Sequence, residues 1–211
     1  MAITFWKSLR GGRPIPMQLE MEAGISIQAG QALEPSAAGK LQKINGNQDN
    51  PPWIANTPAT STATGGERVE VVHTGNKDHI WNFPITPALN NATGQAGGSA
   101  TQVVIPSPTT NYSSGDFIGG QVLVGTEQRT ITASSAVTAP ANITLTVTQP
   151  FTGSTVGKTG IKATPLGADV VAARWESTLE TISQVISELT GGPIAVVDVD
   201  LIRNVVHGYF V

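Results

Sequence analysis

The side chains able to do chemistry are few and widely spread. There are three histidines, His73, His79 and His207. His73 and His79 flank the turn formers GNKD at 75–78, and they face each other if the flanking segments pair as a hairpin. Two imidazoles with no third ligand at useful spacing make a poor zinc site, so both read as ordinary strand histidines. Asp198 and Asp200 stand two apart in PIAVVDVDL, which puts both carboxylates on one face of a strand. Paired carboxylates serve glycoside hydrolysis or calcium binding. A glycosidase also lines its cleft with aromatic rings, and aromatics make up 5% of this chain. A calcium loop needs more oxygen ligands than Asp-Val-Asp supplies. The two aspartates therefore read as the solvent face of a strand whose Val197, Val199 and Leu201 face the core.

The remaining candidates end the same way. Gly119-Gly120 and Gly191-Gly192 lack the spacing of a phosphate-binding loop. Lys158 in VGKTG has no upstream glycine where a P-loop requires one. No Ser-His-Asp or Cys-His set can be assembled with any specificity. Trp53, Trp81 and Trp175 can form a sugar-stacking platform, but such tryptophans more often anchor a core. The expectation is a protein that is not an enzyme, with no catalytic, cofactor-binding or metal-binding residues.

Composition points the same way. Charged residues are 13% of the 211, against about 25% in average globular chains. Much of the surface must then be Thr, Ser, Asn, Gln and Gly, which gives up little hydration when covered. Such a surface suits a protein that works pressed against other proteins, and it suits equally a stable secreted or β-rich domain with a bland exterior. Residues 1–16, MAITFWKSLRGGRPIP, carry Lys7, Arg10 and Arg13 and no acid, while the whole chain has net charge −3. The arm is thus +3 on a body of −6. Three charges are too few for a nucleic-acid footprint, so no direct nucleic-acid partner is expected. The absence of cysteine excludes disulfides and thiolate metal sites. Lys7, Arg10 and Arg13 interrupt any signal-peptide apolar region, and no run of about 18 apolar residues offers a membrane helix. Synthesis and assembly in the cytoplasm follow as the expectation.

The elements that must position these residues read mostly as short strands. The arm, 1–16, contains Ile3, Phe5, Trp6 and Leu9, and its glycines and prolines prevent a long regular element. Exposed aromatic residues need cover. Either the arm's own domain or a neighbouring subunit supplies it, and the Gly-Gly-Arg-Pro hinge favours the neighbour. Segments 17–21, 24–28, 31–34, 40–44 and 53–55 read as strands, and 68–85 as a β-hairpin. Residues 86–101 read as a linker by composition. A second β unit spans about 102–165. Its most regular strand is NITLTVTQ at 142–149, where Ile143, Leu145 and Val147 face one way. In STLETISQVISEL, 177–189, Leu179, Ile182, Val185, Ile186 and Leu189 recur with helical period, and Gly191-Gly192-Pro193 follows as a stop. That predicts one short helix near the C-terminus, closing a barrel end. Strands at 194–200 and 203–210 complete the chain. The predicted fold is mainly β: a small β-barrel or β-sandwich formed by 17–86 plus 166–211, with a second β domain inserted at 87–165. A simple tandem of two domains is the alternative.

The order GISIQAGQAL, GKLQKI, PPWIA, TGGERVEVVH, IWNFPIT resembles the small β-barrel of tailed-bacteriophage capsid decoration, or cement, proteins. The matching positions are Ile27, Gly30, Gln31 and Leu33, then Pro52, Trp53, Ile54 and Ala55, then Gly66, Val69 and Val71, then Trp81, Phe83 and Pro84. The likeness covers 23–86, with a weaker echo at 194–211; segment 87–165 is what a minimal decoration protein lacks. The resemblance implies a structural virion protein on the outer capsid surface, often a homotrimer at local threefold positions. It would stabilise the shell by bridging major capsid protein subunits, with N-terminal arms clasping neighbours. Phe5, Trp6, Lys7, Arg10 and Arg13 are the arm residues it nominates. Two other classes stand beside it. One is a carbohydrate- or host-binding β module, or a tail or head-fibre component, with Tyr112, Phe117 and Phe151 as the available rings in 102–165. The other is a virion hydrolase, for which no convergent acids or nucleophile are visible.

Overall fold

The computed structural model describes residues 2–44, 51–107, 109–168 and 192–211, with positions 170, 173, 175–176, 181–184 and 189 between the last two stretches. In chain order the first strands are β1 (Thr4–Ser8), β2 (Pro16–Glu20), β3 (Ser26–Ile27), β4 (Ala32–Pro35), β5 (Leu41–Lys43), β6 (Trp53–Ala55) and β7 (Ala59–Thr60). Then follow β8 (Arg68–His73), β9 (His79–Pro84), β10 (Leu89–Ala92), β11 (Gln102–Pro106), β12 (Gln121–Val124) and β13 (Glu127–Ser134). The last are β14 (Asn142–Val147), β15 (Ile161–Thr164), β16 (Trp175–Glu176), β17 (Thr181–Ile182), β18 (Ile194–Asp200) and β19 (Val205–Phe210). Among the described residues the fold is all-β, in several antiparallel sheets.

One sheet, ordered β2-β8-β6-β4-β5, curls into a half-barrel. Its edges meet where Met21 bridges Leu41 and the Glu22 N–H donates to the Leu41 carbonyl at 2.9 Å. Side chains alternate across a strand, and three of these strands use both faces. Leu33, Ala55, Val69 and Val71 point into the half-barrel with Met21, Ile27 and Leu41. Their neighbours Ala32, Ile54 and Val72 point the other way, onto a second sheet ordered β1-β9-β19-β18. Between the two lies a core of Ile3, Trp81, Phe83, Ile194, Val196, Val206 and Phe210, among others.

The expected hairpin at 68–85 does not form. β8 pairs with β2 and β6, whereas β9 pairs with β1 and β19. Every residue of β9 except Asn82 is buried, so it needs a strand on each side and a layer behind it. A half-exposed hairpin arm offers neither. The segment 74–78 instead carries the chain from one sheet to the other, pinned where Thr74 Oγ1 donates to the Pro51 carbonyl at 2.5 Å.

A six-stranded sheet, β10-β15-β12-β13-β14-β11, has a core of its own that includes Val103, Ile105, Phe117, Val122 and Ile131. Ile143, Leu145 and Val147 of β14 all face that core, as their alternation predicts. The stretch 86–101 is more than linker: Leu89 is buried, and β10 pairs with β15. The strand expected over 115–125 is confined to β12, because 115–119 turns to plug Phe117 into the core. This sheet docks on the second one through a side chain that imitates backbone. The Gln128 carboxamide donates to the Val199 carbonyl at 2.5 Å and accepts from the Leu201 N–H at 2.8 Å. Beside it, Lys162 Nζ donates to the Leu201 carbonyl at 3.1 Å and to Asn204 Oδ1 at 2.8 Å.

Two further expectations are corrected. The helix over 177–189 is not present in its described part: Thr181 and Ile182 form β17 and pair with β16. Both residues are β-branched and both are buried, which suits a strand pair better than one stripe of a helix. Residues 177–180 and 185–188 lie outside the described residues. In β18 a bulge between Val196 and Asp198 turns Val197 out to 40% exposure, while Val199 and Leu201 stay inside.

Candidate functional site: the N-terminal arm and its seat

The cationic arm forms β1, an edge strand on its own chain. It pairs antiparallel with β9 in the register Thr4↔Asn82, Phe5↔Trp81, Lys7↔Ile80 and Ser8↔His79. The register shifts between Phe5 and Lys7; Phe5 packs against the core, while Trp6 stacks on His207. Phe5 sits edge-on to His79 at 5.5 Å and to Trp81 at 5.9 Å between ring centroids. Trp6 stacks on the ring of His207 at 3.8 Å, and Lys7 Nζ lies 4.1 Å from the Trp6 ring. Ile3 is 2% exposed, and its N–H donates to the Gly30 carbonyl at 3.0 Å. Gly30 is constrained twice. Its φ is +76°, and a Cβ there would meet the Ile3 carbonyl oxygen at 2.6 Å.

Past β1 the chain leaves the sheet. The Leu9 N–H donates to the Asp78 carbonyl at 2.9 Å, and Arg10 Nε lies 3.5 Å from Asp78 Oδ1 with its side chain 84% exposed. Arg13 is exposed, and it lines a groove of about 560 Å³ with Phe5, Trp6, Pro14, Ile54 and Trp81. Among the described residues, Trp6, Leu9, Ile15 and Met17 are four of the nine large apolar side chains left exposed. The other five are spread over the rest of the chain. All five residues nominated from the sequence, Phe5, Trp6, Lys7, Arg10 and Arg13, therefore fall on one arm, although Phe5 faces inward and the rest face out.

Under the arm, a polar row crosses the sheet. Asn82 Nδ2 donates to Thr4 Oγ1 at 3.2 Å, His207 Nδ1 donates to Asn82 Oδ1 at 2.8 Å, and Asp198 stands opposite His207 in the ladder. Burial pushes the His207 imidazole below its ordinary pKa, with Asp198 and Asp200 opposing. Burial also lowers His79, with Asp78 opposing. Two buried polar atoms beneath Phe5, His79 Nδ1 and Trp81 Nε1, have no hydrogen-bond partner among the described residues.

The other candidates disperse. His73 lies edge-on to Trp53 at 4.7 Å, and it does not face His79. Asp200 accepts from the Arg203 N–H at 3.0 Å within the β18–β19 turn. No three His, Asp or Glu side chains gather as a metal site among the described residues. Trp81 and Trp175 are core residues. Tyr112, Phe117 and Phe151 are 8%, 0% and 5% exposed, so none offers a ring face to a glycan. None of the seat residues Gly30, Asp78, His79, Trp81, Asn82 and His207 was nominated for partner binding from the sequence. Only Gly30 carried a local signal, as a turn glycine. Comparison with protein-family models, curated proteins and solved structures gave no match.

Proposed function

We propose that this is a non-enzymatic structural protein of a phage virion. It binds the outer surface of the capsid as a homotrimer and stabilises the shell by bridging major capsid protein subunits. In this reading the half-barrel and the sheet behind it are the decoration-type body, and the unit 87–165 is an inserted β domain. The observation that carries it is the arm surface. Exposed Trp6, Leu9, Ile15 and Met17 alternate in the chain with the exposed cations Lys7, Arg10 and Arg13, along β1, the hinge and the start of β2. Such a patch fits an apolar, acidic protein face, and a weakly charged body loses little hydration when packed in a lattice. Many copies multiply a modest contact energy, and three arms per trimer add avidity. The resemblance in 23–86 supplies the kind of partner. The buried state of Tyr112, Phe117 and Phe151 counts against the glycan-binding alternative.

The test is co-sedimentation with capsids of the source phage that lack this protein. The native chain is compared with a variant carrying Leu9→Ser, Arg10→Ser, Arg13→Ser and Ile15→Ser, which leaves Ile3 and Phe5 in place. Saturable binding that the variant loses is the expected result. Failure of the native chain to bind overturns the capsid reading.

A further inference from the structure

We propose that β1 is an exchangeable strand, and that the seat it fills on β9 also accepts the β1 of a second copy of this chain. The inference stands on the arm and its seat, and it does not depend on the capsid reading.

Four observations carry it. First, β1 is held from one side: it ends its sheet and has β9 as its ladder neighbour, with that ladder broken by the register shift at Trp6. Second, the strand is joined to the body through a loose hinge. Gly11 and Gly12 have φ of +86° and +90°, and a Cβ on either would touch nothing within 4 Å. Leu9 and Ile15, on either side, are 62% and 83% exposed. Third, the seat is specific and self-contained. Ile3 fits against Gly30, Phe5 against His79 and Trp81, Trp6 against His207, and Arg10 against Asp78. A β1 arriving from another copy remakes every one of these contacts, which is the condition for exchange without loss. Fourth, the closed arm leaves His79 Nδ1 and Trp81 Nε1 buried without partners. Phe5 packs edge-on to both rings, so lifting it opens a way for water toward atoms left unpaired in the closed state, which offsets part of the cost of opening.

Geometry limits the exchange. The hinge 10–15 has six residues and reaches at most about 20 Å when extended. The receiving seat must lie within that distance of the donor's β2. Head-to-tail exchange of this kind closes into a ring of copies when the rotation permits, which is one way to build the homotrimer proposed above. The exposed apolar hinge residues would then lie between copies.

The chain has no cysteine, so engineered thiols report without background. Thr4 and Asn82 are directly opposed register partners in the β1–β9 ladder; residues so opposed have Cβ atoms about 4.5–5.5 Å apart, close to what a disulfide bridges. The double variant Thr4→Cys/Asn82→Cys, oxidised at high dilution, should close within one chain and verify the seat. The decisive sample mixes the single variants Thr4→Cys and Asn82→Cys, incubates them together and then oxidises them. Exchange predicts a disulfide-linked heterodimer, read on a non-reducing gel and by peptide mass. It should form at least roughly tenfold faster than a control mixture of Thr4→Cys with Ser154→Cys, because the shared seat raises the effective thiol concentration. Heterodimer no faster than the control overturns the proposal. So does a double variant that fails to close within one chain, since the seat itself is then absent.

Discussion

Replacing Trp6 with alanine tests how the arm is held. The indole is 39% exposed, stacks on His207 at 3.8 Å and carries Lys7 Nζ at 4.1 Å from its ring. A stacked aromatic pair contributes about 0.5–1.5 kcal/mol beyond its area, and an exposed cation–π contact about 0.5–1 kcal/mol. Trp6→Ala therefore loosens β1 by about 1–2.5 kcal/mol, or roughly 5- to 70-fold in the frequency of opening. The loss is local, so the amides of β1 that bond to β9 should exchange faster by that factor, while those of β14 keep their rates. A second readout separates this stack from general loosening. Burial is the main cause of the depressed His207 pKa, and Trp6 stacks directly on that ring. In the variant, the imidazole should titrate closer to its ordinary value of 6.5. His79 lies under Phe5, so its titration should not move. Both are followed from the histidine ring proton shifts against pH. If β1 exchanges no faster, or His207 titrates where it does in the native chain, the stack does not hold the arm and the reasoning fails.

Gln128→Ala removes two hydrogen bonds that join the six-stranded sheet to β18 and its turn, at Val199 and Leu201. The expected cost is about 1–3 kcal/mol, measured by denaturant unfolding; a variant as stable as the native chain would show that the carboxamide is replaced by water. Acid pH should weaken the native fold through His79 and His207. Both are held below the ordinary value of 6.5, so the unfolded chain binds protons first and stability falls as pH drops through and below that value. Comparing melting temperatures at descending pH for the native chain and for His79→Phe/His207→Asn checks this. The double variant should show a shallower decline above the carboxylate range, and an unchanged slope would refute it.

How much of this was legible varies with the range of the interaction. The strands of the half-barrel and β14 followed from alternation, because a period of two puts one face inward whatever the partner. Alternation failed at Val197, where one extra residue in β18 shifts the pairing with β19. It also gave the wrong partner for β9, which pairs with β1 and β19 rather than with β8. Residues 68–85 look like a hairpin locally, and only the two cores separate them. The helical spacing in 177–189 was undone at Thr181 and Ile182 by pairing with Trp175 and Glu176. In the candidate site, the arm's charge and its Gly-Gly hinge were visible in the sequence. The seat was not, since it joins Trp6 to His207 and Ile3 to Gly30.

By itself, the sequence determined a mainly β class, the positions of most strands, a cationic arm free of acids, and a chain without thiol chemistry. These depend on residue type and on period-two patterning, which act over a few neighbours. Tertiary structure decided which sheet each strand joins, that β8 and β9 part company, that the arm fills the edge beside Trp81, and that two histidines lie beneath its aromatic pair. Those depend on which apolar faces bury one another, and burial is settled between segments far apart in the chain.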